Sequence, residues 1–442
     1  MTTILAFLFV LGVLIFVHEL GHFLAARRLG IRVLTFSLGF GPKLLTIKRG
    51  DTDYCISAVP LGGYVKMAGE NPEDQRTGAP DEFLSKTKWE RFQVLIMGPA
   101  MNIILAVVVL AIVLAQGAEI PVYQDGPAVV GAVVDGSSAA AVGMQRGDRI
   151  VSVSGKPIAT WDDLDLAIGT RPNRDVPLTF VRDGAVHSVT VRPKAKGRFE
   201  IGDVGLLPDS APIVKALLEP KTDYPASTAG LKPGDAIIAV NGQRVVVPQQ
   251  LTEVVTKNAD HELALTIRRG GQELPIRLTP VKRQGRTLIG IVPGELTKSF
   301  QPTPVEAVKL SVQKNVENSG LIFRMLGGLF TGETSVRQLQ GPVGIAQLSG
   351  ESAQAGWVAL LSLMAMISLN LGILNLMPVP ILDGGHIVIM ALEGIARRDF
   401  SVQVKEKMLL AGFVVLMMLM VTVIYNDLTR ISWIERLMPW RQ

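Results

Sequence analysis

Four stretches of this chain, at about residues 4–26, 92–115, 357–377 and 408–425, are apolar over a length that can cross a bilayer. Nothing else in the sequence limits the fold as much. A hydrocarbon core of about 30 Å takes roughly 20 residues of helix, and a backbone in lipid must satisfy its own hydrogen bonds. The first stretch has no basic leading region, and His-Glu follows Val17 where a cleavage site would be needed, so it reads as a retained anchor. Behind it come Arg27, Arg28, Arg32, Lys43, Lys48 and Arg49, with no acidic residue before Asp51. The positive-inside rule puts this side, with Cys55, in the cytoplasm, where Cys55 is expected to react. Alternation then places residues after 115 outside, the basic loop 396–407 inside, and both termini outside.

Charge and cysteine content exclude other classes. A net charge of +5 over 442 residues, with no basic run interleaved with aromatics, gives no nucleic-acid footprint. The single cysteine rules out an internal disulfide and a thiolate-built zinc site, so any metal must use nitrogen and oxygen ligands.

Between the second and third apolar stretches lies a repeat. Gly143, Gly147, Asp148, Ile150, Val153 and Gly155 recur, each 87 residues later, as Gly230, Gly234, Asp235, Ile237, Val240 and Gly242. Each copy continues through a helical stretch into a β-rich pair around a turn, Asp183-Gly184 in the first and Gly270-Gly271 in the second. The pattern AGLKPGDAIIAVNGQRV from Ala229, and its counterpart from Ala141, resemble PDZ domains of the circularly rearranged bacterial kind. Such modules bind an extended peptide at a strand edge, so peptide ligands are expected partners. After them, Val305, Val308, Val312 and Val316 share one face of a predicted helix, which lies along the membrane surface or packs on the second module.

The chemistry concentrates in His18-Glu19-Leu20-Gly21-His22, inside the first apolar stretch. Residues four apart are separated by about 40° around a helix, so both imidazoles can face one ion, while Glu19, turned by about 100°, can reach its water. Ionisable groups within a membrane helix are costly and by default functional. A catalytic zinc needs a third protein ligand and an open position. His187 and His261 fall in the outer modules, leaving Asp383, His386, Glu351 and Glu393. Asp383 sits in NLMPVPILDGG, where Pro378, Pro380 and Gly384-Gly385 break an apolar helix, an interruption tolerated at membrane depth beside a protein-lined or watery cavity. His386 is the rival ligand.

These motifs, with FSLGFGPKL from Phe36, PLGGYVKM from Pro60 and GPVGIAQ from Gly341, resemble the site-2 protease family of intramembrane metalloproteases across nearly the whole chain, most of all its RseP-type, sigma-E-regulating branch. The resemblance implies zinc bound by His18, His22 and Asp383, with Glu19 as general base. It implies that Asn375, Pro378 and Pro380 hold an unwound substrate, and that a membrane-associated β-hairpin carries Gly39, Phe40 and Gly41, where strand addition could capture the released backbone. The implied substrates are single-pass membrane proteins already trimmed outside the bilayer, of the anti-sigma-factor type, with signal-peptide remnants as a second class. The lipid bilayer of a bacterial inner membrane is the setting, with the modules in the periplasm. A membrane PDZ adaptor with a structural metal would not need Glu19, and a metal transporter would need more than one intramembrane cluster.

The expected architecture is a polytopic α-helical membrane protein with four transmembrane helices, two periplasmic β-rich PDZ domains and a small membrane-associated β-sheet. Its segments are residues 1–120 (first membrane part), 121–208 and 209–296 (the two modules), 297–350 (an amphipathic surface region) and 351–442 (second membrane part).

Overall fold

The computed structural model describes residues 2–70, 78–197, 200–218, 224–283, 285–331, 334 and 339–429. The expected outer C-terminus falls in residues 430–442, outside the described residues. Two units result: Met1–Gly117 with Gln301–Phe330 and Leu339–Gln442, and Ala118–Phe300 with Thr331–Gln338.

Among the described residues of the first unit, four helices are long and apolar enough to cross a membrane: α1 (Thr2–Arg28), α2 (Lys88–Ala115), Trp357–Asn375 and Val402–Thr429. The last begins before the apolar run at 408, because Gln403, Lys405, Glu406 and Lys407 continue the helix although they are polar. Apolarity marks depth in lipid, and a helix does not stop at that boundary. The Trp357 helix ends at Asn375, short of the expected 377, because Pro378 disfavours helical geometry in the residue before it. A capping box starts α2: Thr87 Oγ1 accepts from the Glu90 amide at 3.3 Å, and the Thr87 amide donates to Glu90 Oε2 at 2.8 Å. Val10, Leu14, Val109, Met364 and Ala365 form the core where α1, α2 and the Trp357 helix meet. Ile4, Leu5, Phe9, Ile104 and Val108 point outward, the surface that lipid would cover.

In the helix Pro304–Thr331 the valine stripe is not the face that packs on the protein. Val305, Val308, Val312 and Val316 are exposed, while Ala307, Ser311 and Asn315 are buried. Ser311 Oγ donates to the Val107 carbonyl of α2 at 2.7 Å, and Asn315 Nδ2 to the Ser311 carbonyl at 2.8 Å. Helices in lipid associate through small and polar residues because lipid solvates valine as well as a protein core does.

Strands β1 (Val33–Arg49) and β2 (Thr52–Met67) each bend and fold back on the other. Residues 35–38 lie opposite 63–66, with Thr35 facing Lys66 and Leu38 facing Gly63, and on their other side face 53–56. Residues 45–49 pair with 52–56. The bend in β1 uses Gly39 (φ 91°) and Gly41 (φ 84°), left-handed conformations that favour glycine. Val33, Phe36, Val65 and Met67 pack against Ala25, Ala26 and Val94, whereas Leu44, Leu45 and Ile47 are exposed. Cys55, expected to be reactive, is instead buried, with Sγ 3.5 Å from Thr46 Oγ1. It lies in the middle segment of this sheet, so strands cover it on both sides.

In the second unit, one module carries a four-stranded sheet in the order Lys156–Pro157, Arg149–Val153, Val176–Arg182, Ala185–Val191. The other has the main order Gln272–Leu278, Leu263–Arg269, Ala236–Val240, Ile213–Leu217, Ile291–Gly294. The repeated Ile150 and Ile237, and Val153 and Val240, occupy the two cores. The repeated aspartates also share one role. Buried Asp148 accepts from Arg182 Nε at 2.7 Å and buried Asp235 from Arg269 Nε at 2.6 Å, and each arginine also donates to a repeated glycine carbonyl, Gly143 or Gly230. Asp209 links the modules through Arg146 (3.2 Å) and Arg244 (3.1 Å).

Candidate metal centre

One turn of α1 brings His18 and His22 together, their Nε2 atoms 3.2 Å apart. Asp383 Oδ2 lies 3.3 Å from His18 Nε2 and 3.5 Å from His22 Nε2. Among the described residues this is the one cluster of three or more His, Cys, Asp or Glu side chains suited to a metal. A tetrahedral ion with bonds of about 2.0–2.2 Å separates its ligand atoms by about 3.3–3.6 Å. Two of the three observed separations, 3.3 and 3.5 Å, fall in that range and the third, 3.2 Å, lies just below it, and the N, N, O donor set suits zinc.

The approach of α2 decides how the imidazoles are held. Gly21 and Gly98 let the two helices close up: a β-carbon at Gly98 would overlap the His22 ring, and one at Gly21 would overlap the Met97 carbonyl. Pro99, inside α2, cannot donate to the Leu95 carbonyl, which loosens the hydrogen-bond ladder at this point. Beside it, the Val94 carbonyl accepts from His22 Nδ1 at 2.8 Å. That bond fixes the hydrogen on Nδ1 and leaves the Nε2 lone pair for a metal. Asn102 Nδ2 lies 3.1 Å from His18 Nδ1.

Asp383 opens the helix Asp383–Ile395, where its negative charge complements the positive end of the helix dipole. A short irregular segment, with Val379 donating to the Met377 carbonyl and Leu382 to Val379, carries the chain from the Trp357 helix to this point. It wraps so tightly that β-carbons at Gly384 or Gly385 would overlap the backbone of Leu376 or Val379. The rival ligands are placed elsewhere. His386 is exposed and outside the cluster, Glu351 is on the helix Pro342–Ala355, and Glu393 is paired with Lys405 (2.7 Å) and Lys88 (3.7 Å).

Glu19 is half-buried and abuts β2, where a β-carbon on Gly63 would come within 2.9 Å of Glu19 Cγ and 2.8 Å of Ile15 Cγ2. Phe40 stacks on Tyr64 (centroids 6.1 Å, planes at 8°) and covers Gly62, so the Gly39–Phe40–Gly41 bend reaches the same stretch of β2. Asn375 ends the Trp357 helix half-buried, Pro378 is exposed, and Pro380 packs on Gly412. Among the described residues no hydrogen bond joins Asn375 to the cluster. The sequence reading missed Gly98, the Val94 carbonyl and Asn102. A lone asparagine in an otherwise apolar crossing was the available signal.

Known proteins match this chain along most of its length. Residues 6–419 match peptidase family M50. A "putative zinc metalloprotease" of Neisseria meningitidis is 33% identical over 98% of this chain and 100% of its own length. A "regulator of sigma E protease" of Haemophilus influenzae is 32% identical, and one of Salmonella typhi 34% identical, each over 96% of this chain and 98% of its own. Among solved structures, a PDZ domain of an SdrC-like protein from Listeria monocytogenes aligns at 18% identity over 20% of this chain and 93% of its own, with a TM-score of 0.18, too low to argue from. The sequence matches run nearly end to end and join the histidine pair near the start of the chain to the aspartate near its end, so the chain belongs to peptidase family M50 and is a membrane zinc metalloprotease.

Proposed function

We propose that His18, His22 and Asp383 hold the zinc, that Glu19 is the general base, and that the reaction is hydrolysis of a peptide bond within the transmembrane segment of a single-pass membrane protein. The convergence of three ligand atoms 3.2–3.5 Å apart, beside a carboxylate that is not one of them, carries this reading. When bound, zinc supplies a Lewis acid that polarises the scissile carbonyl and lowers the pKa of a water from about 15.7 to about 7. Glu19 takes the proton of the attacking water and returns it to the leaving amine. A helical peptide bond hides its carbonyl, so the substrate must unwind first. The β2 edge at Gly63, in contact with Glu19, offers backbone partners for the unwound strand, and Gly39, Phe40 and Gly41 shape that edge. Asn375, Pro378 and Pro380, which precede Asp383, would flank the substrate from the other side.

The substrates are of the anti-sigma-factor type, trimmed outside the bilayer, as the names of the sigma-E-regulating relatives suggest. The setting is a bacterial inner membrane, with the β1–β2 sheet cytoplasmic and the modules and both termini periplasmic, argued from the arginines and lysines that follow α1. The two PDZ-like modules filter substrate access: folded bodies can obstruct a substrate that keeps a bulky outer domain and admit one already shortened. Replacing residues 122–294 with a flexible linker tests this. The filter requires untrimmed substrates to be cleaved and trimmed ones still cleaved; capture of a substrate C-terminus by a module requires slower cleavage of trimmed substrates and none of untrimmed ones.

A further inference from the structure

We infer that Asn102 is a positioning residue of the metal centre: its side-chain oxygen accepts the Nδ1 hydrogen of His18 and thereby keeps that imidazole's Nε2 bare and aimed at the metal. The inference rests on the ligand reading above. Asn102 is fully buried in α2, and its amide group lies 3.1 Å from His18 Nδ1. An NH2 group facing Nδ1 would require an acceptor there, moving the ring hydrogen to Nε2, where it would block the metal. Turning the amide by 180° removes this conflict, because Oδ1 then accepts from Nδ1–H. His18 becomes equivalent to His22, whose Nδ1 donates to the Val94 carbonyl at 2.8 Å. A single helix, α2, thus sets the tautomer of both histidines, once through a backbone carbonyl and once through a side chain. The Asn102 backbone is held in turn: Ser368 Oγ, buried in the Trp357 helix, donates to its carbonyl at 2.7 Å. A buried asparagine on a metal-ligating ring is a different matter from one that only packs, because packing does not need an acceptor.

The test is the zinc affinity of the purified full-length protein, measured by competition with a chromogenic chelator, for Asn102→Asp, Asn102→Leu and His18→Ala. Asn102→Asp keeps an acceptor for Nδ1–H and should bind zinc as tightly as wild type or more tightly. Asn102→Leu keeps the volume but removes the acceptor, and should bind about 10–100-fold more weakly, the usual loss for an outer partner of a ligand. His18→Ala should lose stoichiometric zinc. Wild-type affinity in Asn102→Leu, with zinc lost in His18→Ala, would overturn the inference and leave the ligand reading standing. Retention of zinc by His18→Ala would overturn both. If Asn102→Leu does not fold, Asn102→Asp decides alone: affinity more than tenfold below wild type would mean that shape, not an acceptor, is what the site requires, and the inference would fall.

Discussion

Gly98 faces the imidazole of His22 so closely that a β-carbon there would overlap the ring. Gly98→Ala should therefore push α2 and His22 apart, break the bond from Nδ1 to the Val94 carbonyl, and cut zinc affinity at least tenfold. Gly12→Ala, on the same bundle but with nothing within 4 Å of the added carbon, should leave zinc unchanged and stabilise α1 by up to about 1 kcal/mol. Metal analysis of both purified variants checks the contrast.

A base and a ligand fail differently. Glu19→Gln should keep stoichiometric zinc and lose cleavage of a transmembrane model substrate by about 100-fold or more, whereas His18→Ala and Asp383→Ala should lose both. Equal zinc content in all three variants would remove the assignment.

Zinc bound by two imidazoles and a carboxylate, without a thiolate, should be removable. A chelator is expected to abolish proteolysis, and added zinc to restore it. Activity that survives complete metal removal would contradict this.

Because Cys55 is buried, orientation should be read with exposed probes. In a Cys55→Ser background, Lys48→Cys should resist an impermeant reagent in intact spheroplasts and react after lysis, whereas Lys257→Cys should react in both. The reverse pattern would invert the proposed topology.

The Asp235–Arg269 pair predicts a pH signature for the second module. Burial pushes the Asp235 carboxyl up, but hydrogen bonds from Arg269 and from the Lys232 amide outweigh it and hold the carboxyl below its ordinary range. A depressed folded-state pKa contributes stability that is present above the unfolded value, near 3.8, and is lost as pH falls through the folded one. Asp235→Asn should therefore destabilise the module at pH 7 by about 2–3 kcal/mol. That lies at or below the range for breaking a fully buried pair, because Arg269 keeps 33% of its side chain exposed. The deficit should shrink below about pH 4, as thermal unfolding at pH 7 and pH 3 would show.

The sequence alone determined what short-range periodicity and composition can encode. Membrane crossings follow from apolar length, the facing of His18 and His22 from the helical period, and the two modules from landmarks repeated at a fixed offset. The third member of the cluster is 361 residues from His22, and the broken segment with Pro378, Pro380 and Gly384-Gly385 favoured Asp383, with His386 three positions on as the rival. That choice is made by the turn over Gly384 and Gly385, which leaves Asp383 facing the histidines and His386 exposed. Likewise the valine stripe of Pro304–Thr331 marked one apolar face, but did not show that the opposite face, with Ala307, Ser311 and Asn315, is the one that packs on the protein. Only the tertiary structure revealed that α2 supplies the partners of both imidazoles, because Val94 and Asn102 reach the histidines through a helix crossing that Gly21 and Gly98 permit. Close approach between helices depends on which faces meet, and that is a property of the packed bundle rather than of either helix.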